Sequence, residues 1–94
     1  MTARVDALSQ LGAAIREVRE AHGLSQDDVA ERVARDDDRR QEVPRPSSAS
    51  DLDAIESGRD NPNFLTLVDI ARAIDVPLAE LLAAFDRHRD MAGS

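Results

Sequence analysis

The N-terminal part of the chain carries apolar residues at the three- and four-residue spacing of an amphipathic helix. The positions in this pattern are Leu8, Leu11, Ile15 and Val18, followed by His22. The spacing predicts a first helix over about 6–22. Gly23 comes directly after it, and glycine readily adopts the left-handed conformation that ends a helix.

A second amphipathic segment follows, with Ser25 at its start. Ser25 and Asp28 have the spacing of a capping box, in which each residue satisfies a backbone N–H group near the helix start. Asp27 also lies near the positive end of the predicted helix. The predicted buried face consists of Val29, Ala30 and Val33. No apolar residue continues this pattern, so we expect the helix to end between residues 34 and 38.

Residues 36–47 interrupt the helical pattern and predict an extended loop. The run Asp36-Asp37-Asp38-Arg39-Arg40 is charged, and Pro44-Arg45-Pro46 favours a stiff, extended backbone. Such residues have little to bury against a core. We therefore expect this loop to be the most mobile internal segment, with little protection from hydrogen exchange.

Three further helices are predicted after the loop. The third begins at Ser48 or Ser50, directs Leu52 and Ile55 inward and ends at Gly58. Asn63 is a suitable cap for the fourth, whose buried residues are Leu67, Ile70, Ala71 and Ile74. Pro77 occupies the first position of the fifth. That helix places Leu78, Leu81, Leu82 and Phe85 on one face, and we expect it to fray from Asp86.

These elements predict an all-α, five-helix domain that comprises residues 1–94. Its core spans 6–85, the inserted loop spans 36–47, and a polar tail spans 86–94. The chain has no tryptophan or tyrosine and two phenylalanines, so its core must be aliphatic. It also has no cysteine, which excludes disulfides and thiolate metal sites.

Composition and charge restrict the expected cellular location and the expected binding partners. The chain has neither an apolar run of about 18 residues nor an apolar N-terminal signal region, so we expect a cytoplasmic protein. The chain has arginine and no lysine, which is typical of a GC-rich, bacterial genome. The formal net charge of −7 argues against a general nucleic-acid binder. A protein with this net charge can still bind DNA through a local positive surface.

No enzymatic or metal chemistry is predicted. His22 and His88 are far apart in sequence and lack metal-ligand spacing. The run Asp36-Asp37-Asp38 lacks the glycine and the distal glutamate of a calcium loop. Neither a glycine-rich phosphate loop nor a nucleophile elbow occurs. We therefore expect no catalysis, no cofactor and no metal site.

The helices carry a specific set of landmarks in a fixed order. They are Ile15-Arg16-x-x-Arg19, Gly23-Leu24-Ser25-Gln26, Val29-Ala30, Ile55-Glu56-x-Gly58, Asn61-Pro62, Leu67-x-x-Ile70-Ala71-x-x-Ile74 and Val76-x-Leu78-x-x-Leu81-Leu82. In these residues the sequence resembles the Cro/phage-repressor-like helix-turn-helix family of XRE type. That motif joins its two helices by a turn of about 3–4 residues, whereas this chain inserts roughly a dozen more.

The resemblance implies roles for individual residues. Arg19 and Glu56 would form a buried ion pair between helices one and three. Gln26 would contact a DNA phosphate and brace the third, recognition helix, and Arg59 would lie where the family touches the DNA backbone. The implied base-reading positions are Ser48, Ala49, Ser50, Asp53 and Ala54.

The recognition helix departs from the family pattern in its side chains. Strong base readers are Arg, Lys, Asn and Gln, whereas this helix offers serines, alanines and carboxylates. We expect Asp51 to cap the helix, but Asp53 has no such role and would be repelled by phosphate. Arg39, Arg40 and Arg45 could supply positive charge from a flexible arm that reaches a minor groove or the phosphates. The alternative is a solvated loop with no DNA contact.

Two functions remain open from the sequence. The first is a DNA-binding transcriptional regulator that recognises an operator with helix three in the major groove. It would act as a homodimer formed through Leu82, Phe85 and Met91. The second is a helix-turn-helix scaffold that acts as a protein-interaction module or as an antagonist of a partner regulator. A steep salt dependence of DNA binding would distinguish the first from the second.

Overall fold

The computed structural model describes residues 3–35 and 46–93, with side chains described for 7–35 and 46–90. Within these ranges the chain forms five α-helices and no strand. They are α1 (Ala3–Ala21), α2 (Gln26–Arg35), α3 (Ala49–Glu56), α4 (Phe64–Ile74) and α5 (Leu78–Gly93). The predicted all-α, five-helix class is confirmed. None of the described helices is long and apolar enough to cross a membrane.

The first helix begins earlier than predicted and ends as predicted. It starts at Ala3 rather than near residue 6. Gly23 has a φ of 71°, in the left-handed region. Its N–H donates to the carbonyl of Glu20 at 3.0 Å, and the N–H of Leu24 donates to that of Arg19 at 3.2 Å. These two bonds satisfy carbonyls of the last turn and direct the chain toward α2.

The second helix has the predicted capping box. The Asp28 N–H donates to Ser25 Oγ at 3.0 Å, and the Ser25 N–H donates to Asp28 Oδ2 at 2.9 Å. The bond from the Ser25 backbone lowers the pKa of Asp28. Helix α2 is described as far as Arg35, and residues 36–38 of the predicted interval for its end lie outside the described residues. Val29 and Val33 are buried as predicted.

The third helix is capped by Ser48, one of the two predicted starts. The side-chain oxygen of Ser48 accepts a hydrogen bond from the Asp51 N–H at 3.1 Å. The expectation that Asp51 itself caps the helix is therefore wrong, because Asp51 lies in the first turn and supplies the donor. Gly58, with a φ of 82°, follows the helix, and the Arg59 N–H donates to the Ala54 carbonyl at 2.9 Å.

The last two helices begin close to their predicted positions. Asn63 caps α4, and its Oδ1 accepts from the Thr66 N–H at 2.9 Å. Pro77 directly precedes α5 instead of occupying its first position. The Pro77 carbonyl accepts from the Glu80 N–H at 2.9 Å, which closes the first turn of the helix.

Two expectations for α5 are wrong. Leu82 does not share the buried face of Leu81, because Leu82 is 42% exposed whereas Leu81 is fully buried. The helix also continues to Gly93, although fraying was expected from Asp86. Arg87 and His88 explain the continuation, since both contact Glu17 on α1, at 2.6 and 2.7 Å.

The five helices enclose one aliphatic core. In the described part of the chain, α1 lies along α5 and crosses α3, while α2 packs against α3 and α4. A Cβ on Gly12 would lie 2.3 Å from the carbonyl oxygen of Glu56, so the backbones of α1 and α3 touch at this glycine. The largest fully buried apolar side chains are Ile15, Leu52, Ile70, Leu81, Val29 and Val33.

The predicted inserted loop is described only at its end. Pro46 is buried, whereas Ser47 is exposed. The burial of Pro46 departs from the expectation that the loop has little to bury. Residues 36–45, with Arg39, Arg40 and Arg45, lie outside the described residues, and the prediction of mobility there stays a prediction.

Candidate nucleic-acid interface

The second and third helices pack against each other as a pair. Val29 and Val33 of α2 share the core with Leu52 and Ile55 of α3. Residues 36–48 separate the two helices in sequence, compared with about 3–4 residues in an ordinary helix-turn-helix. The described parts of α2 and α3 therefore pack together although they are far apart in sequence.

The expected pair between Arg19 and Glu56 is present. Arg19 Nε donates to Glu56 Oε2 at 2.7 Å, and Nη2 donates to Oε1 at 2.9 Å. Only 8% of the Arg19 side chain and 3% of the Glu56 side chain are exposed. Arg19 Nη1 also donates to the Leu24 carbonyl at 2.8 Å. The bonds with Glu56 raise the pKa of Arg19, so the buried guanidinium keeps its charge and is well supplied with hydrogen bonds.

Gln26, the first residue of α2, connects that helix to α3. Its Nε2 donates to Glu56 Oε1 at 3.0 Å and to Asp53 Oδ1 at 3.2 Å. A side-chain amide has two N–H groups, so both donors of Gln26 are engaged by carboxylates. The amide orientation follows from these partners, since the reverse placement would set its oxygen against two anions. Gln26 thus braces α3.

Asp53 is held by two partners on the exposed surface of α3. Besides the amide of Gln26, Arg59 Nη2 contacts Asp53 Oδ2 at 3.0 Å. These bonds, that from Gln26 first and that from Arg59 second, lower the pKa of Asp53. The carboxylate therefore stays ionised at neutral pH, and its structural partners are a feature that sequence reasoning missed.

The remaining implied base-reading positions lie on the outer part of α3. Ser48 and Ser50 are exposed, while Ala49 and Ala54 are half-buried. Ser50 and Ala54 are four residues apart and therefore face the same way on the helix. The hydroxyl oxygen of Ser48 is already engaged in capping, so Ser50 is the exposed hydroxyl on this helix that capping does not use.

Arg16 is a further cation at this surface to which sequence reasoning gave no role. Its positive charge acts on Asp53 and helps to lower the pKa of that carboxyl. The Arg16 side chain is 62% exposed, and its Nε lies 3.5 Å from Glu20 Oε2. The available signal was its position three residues before Arg19, which places both on neighbouring parts of α1.

Other charged groups near α2 have different surroundings. Arg32 Nη1 donates to the Ala73 carbonyl at 3.0 Å and ties α2 to α4. An open cleft between α2 and the start of α3 is lined by Asp27, Asp28 and Glu31. Among the described residues, no group of three histidine or carboxylate side chains is arranged to hold a metal ion.

Two short helices, α2 and α3, pack together, and a buried arginine–glutamate pair ties α3 to α1. With the two core helices that follow, they define a helix-turn-helix protein. A family model for the helix-turn-helix domain matches residues 10–85, and the chain belongs to this family, in its Cro/XRE-type form. Among curated proteins, none matches the sequence significantly.

Proposed function

We propose that this protein is a transcriptional regulator that binds operator DNA as a homodimer, with α3 in the major groove. Membership of the helix-turn-helix family supports DNA binding. The observation that carries the proposal is a convergence of donors beside α3. Gln26 from α2 and Arg59 from the segment after α3 both donate to the Asp53 carboxylate on the exposed face of that helix.

This arrangement suits phosphate contact beside a helix inserted in the major groove. Guanidinium and amide donors bind phosphate oxygens and fix the position of a protein on the duplex, whereas base edges specify the sequence. In the proposed complex, Arg59 and Gln26 contact the backbone near the C-terminal end of α3. Ser48, Ala49, Ser50 and Ala54 face the bases.

The acidic composition makes local positive charge important for affinity. At a formal net charge of −7, the whole protein is repelled by DNA at long range. We propose that Arg39, Arg40 and Arg45 offset this repulsion by contacting phosphates from the inserted arm. Action on a bacterial operator would place the protein in the cytoplasm, at the nucleoid when bound.

The test has two stages. Genomic fragments retained by the immobilised protein are sequenced to obtain a duplex, and its affinity is then measured by fluorescence anisotropy across about 50 to 200 mM salt. We expect the logarithm of the binding constant to fall steeply with the logarithm of the salt concentration, because phosphate contacts release counterions. If no fragment binds at the lowest salt concentration, the proposal of DNA recognition is contradicted.

A second candidate function is a protein-interaction module that antagonises a partner regulator. The cleft between α2 and α3 favours it, since Asp27, Asp28 and Glu31 line this cleft and would attract a basic segment of a protein. Under this alternative the salt titration shows no DNA binding. A purified candidate regulator would instead bind the protein, and neutralising Asp27 and Glu31 would weaken that complex.

A further inference from the structure

The donors that the proposed function assigns to DNA phosphate are already bonded within the protein. One N–H of Gln26 is directed to Glu56, which Arg19 holds in the interior. The other is directed to Asp53, whose side chain is 53% exposed. A phosphate could therefore gain a donor from Gln26 only by replacing one of these carboxylates, and the exposed Asp53 is the one that can move.

Arg59 is engaged by the same carboxylate. Its Nη2 contacts Asp53 Oδ2 at 3.0 Å, while Gln26 donates to Asp53 Oδ1. A single negative group thus spans the two donors. A carboxylate and a phosphate both present anionic oxygens to such donors, so the two groups compete for the same hydrogen bonds.

We propose that Asp53 is an intramolecular competitor of DNA phosphate. In the free protein its carboxylate occupies Gln26 and Arg59, and a phosphate of bound DNA takes its place. This inference rests on the proposed function and assigns to Asp53 a regulatory role instead of the base-reading role implied by the family resemblance. Asp53 sets a threshold: only a duplex that offers enough additional contacts displaces it.

The exposure of the cluster makes this exchange feasible. Ion pairs between exposed side chains contribute little free energy, because water solvates both partners well and salt screens them. Asp53 and Arg59 are both exposed, unlike the enclosed pair of Arg19 and Glu56. Displacing Asp53 therefore releases donors while the buried pair continues to hold α3 against α1.

The principal test compares Asp53→Asn with Asp51→Asn. Asp51 lies on the same helix, is exposed and changes the net charge by the same amount, so Asp51→Asn is a matched control. We expect Asp53→Asn to raise the affinity for selected and unrelated duplexes alike by about three- to tenfold over the control. Its salt slope should stay close to that of the control, because the variant removes the competing carboxylate and leaves the number of contacted phosphates unchanged.

A double-variant experiment identifies the donor that is released. In an Arg59→Ala background, Asp53→Asn should lose most of its gain in affinity, because the released guanidinium is no longer present. An equal gain with and without Arg59 would overturn the proposal. A loss of affinity in Asp53→Asn that is confined to sites with one particular base would also overturn it and indicate a base-reading Asp53.

An NMR titration with inorganic phosphate tests the competition without DNA. In Asp53→Asn we expect saturable shifts of the Gln26 side-chain amide and of the Arg59 guanidinium, with chloride at equal ionic strength as the control. Wild type and Asp51→Asn should shift much less. If phosphate shifts all three proteins equally, or none of them, the inference fails. If these shifts appear while no protein binds any duplex, only the proposed DNA function fails.

Discussion

Arg19 and Glu56 meet through two parallel hydrogen bonds, from Nε to Oε2 at 2.7 Å and from Nη2 to Oε1 at 2.9 Å. The two residues are 37 positions apart, and their pairing joins the end of α1 to the end of α3. The Leu24 carbonyl binds a third nitrogen of Arg19, Nη1. Because Gln26 also donates to Glu56, this pair orients the residue that begins α2.

Removing Arg19 should destabilise the fold strongly. Arg19→Ala leaves the Glu56 carboxylate buried without its cation, and loss of one partner of a buried pair costs about 3–5 kcal/mol. The free energy of unfolding from urea denaturation measures this. Arg16→Ala is the control, because Arg16 forms an exposed pair with Glu20, and such pairs contribute less than about 1 kcal/mol. Equal losses in both variants would contradict the structural role of the pair.

The attachment of α5 to α1 should weaken in acid. Hydrogen bonds from Arg87 first, and from His88, lower the pKa of Glu17 below its ordinary value of 4.5. A carboxyl group whose pKa is lower in the folded state stabilises the fold at pH values above its ordinary pKa. This contribution is lost as the pH falls through the folded-state pKa. When the pH is below the folded-state pKa of Glu17, the NMR chemical shifts of residues 86–90 should therefore show loss of helix. Glu17→Gln should remove this transition, and its persistence would assign it to another group.

The three arginines of the inserted segment should supply much of the DNA affinity. Arg39, Arg40 and Arg45 lie outside the described part of the chain, so this prediction rests on the sequence. Replacing all three by alanine should weaken binding to every duplex and flatten the salt slope by about one unit per lost phosphate contact. The matched triple lysine variant keeps the charge and should retain the slope. Unchanged binding in the alanine variant would show that the segment is a solvated loop without DNA contact.

The two exposed serines at the start of α3 should both affect which DNA sequence is preferred, but only one of them should also affect the stability of the fold. Ser50→Ala should change the preferred sequence in a selection from randomised duplexes while leaving the salt slope unchanged, because bases rather than phosphates are involved. Ser48→Ala should in addition lower the free energy of unfolding by about 1 kcal/mol, since Ser48 caps the helix. An unaltered preference in both variants would exclude these positions from base reading.

A dimer through α5 is expected to depend on Leu82. This side chain is 42% exposed, so covering it with a second copy of the chain would remove apolar surface from water. Leu82→Glu should shift sedimentation toward monomer and weaken operator binding, because two half-sites are no longer engaged together. Ala83→Glu, an exposed neighbour one residue away, is the control. Monomeric wild type at high micromolar concentration, with and without DNA, would overturn the dimer.

The sequence by itself determined the helices and most of their ends. Ser25 with Asp28, Asn63 with Thr66, and the glycine at 58 act through hydrogen bonds and backbone angles within a few residues of one another. Such interactions depend on neighbours along the chain, so their spacing can be read directly. Pairing of Arg19 with Glu56 was also accessible, but through the family resemblance rather than through local pattern.

The tertiary structure decided which surface residues act together. Asp53 appeared without a partner in the sequence because Gln26 is 27 positions away and approaches only when α2 packs on α3. The packing of separate helices also decides that Leu82 faces outward and that the backbones of α1 and α3 touch at Gly12. Helical periodicity defines a broad apolar stripe, whereas the relative placement of helices selects which positions at its edge are covered. Contacts between separate helices depend on that placement, and no spacing within one helix determines it.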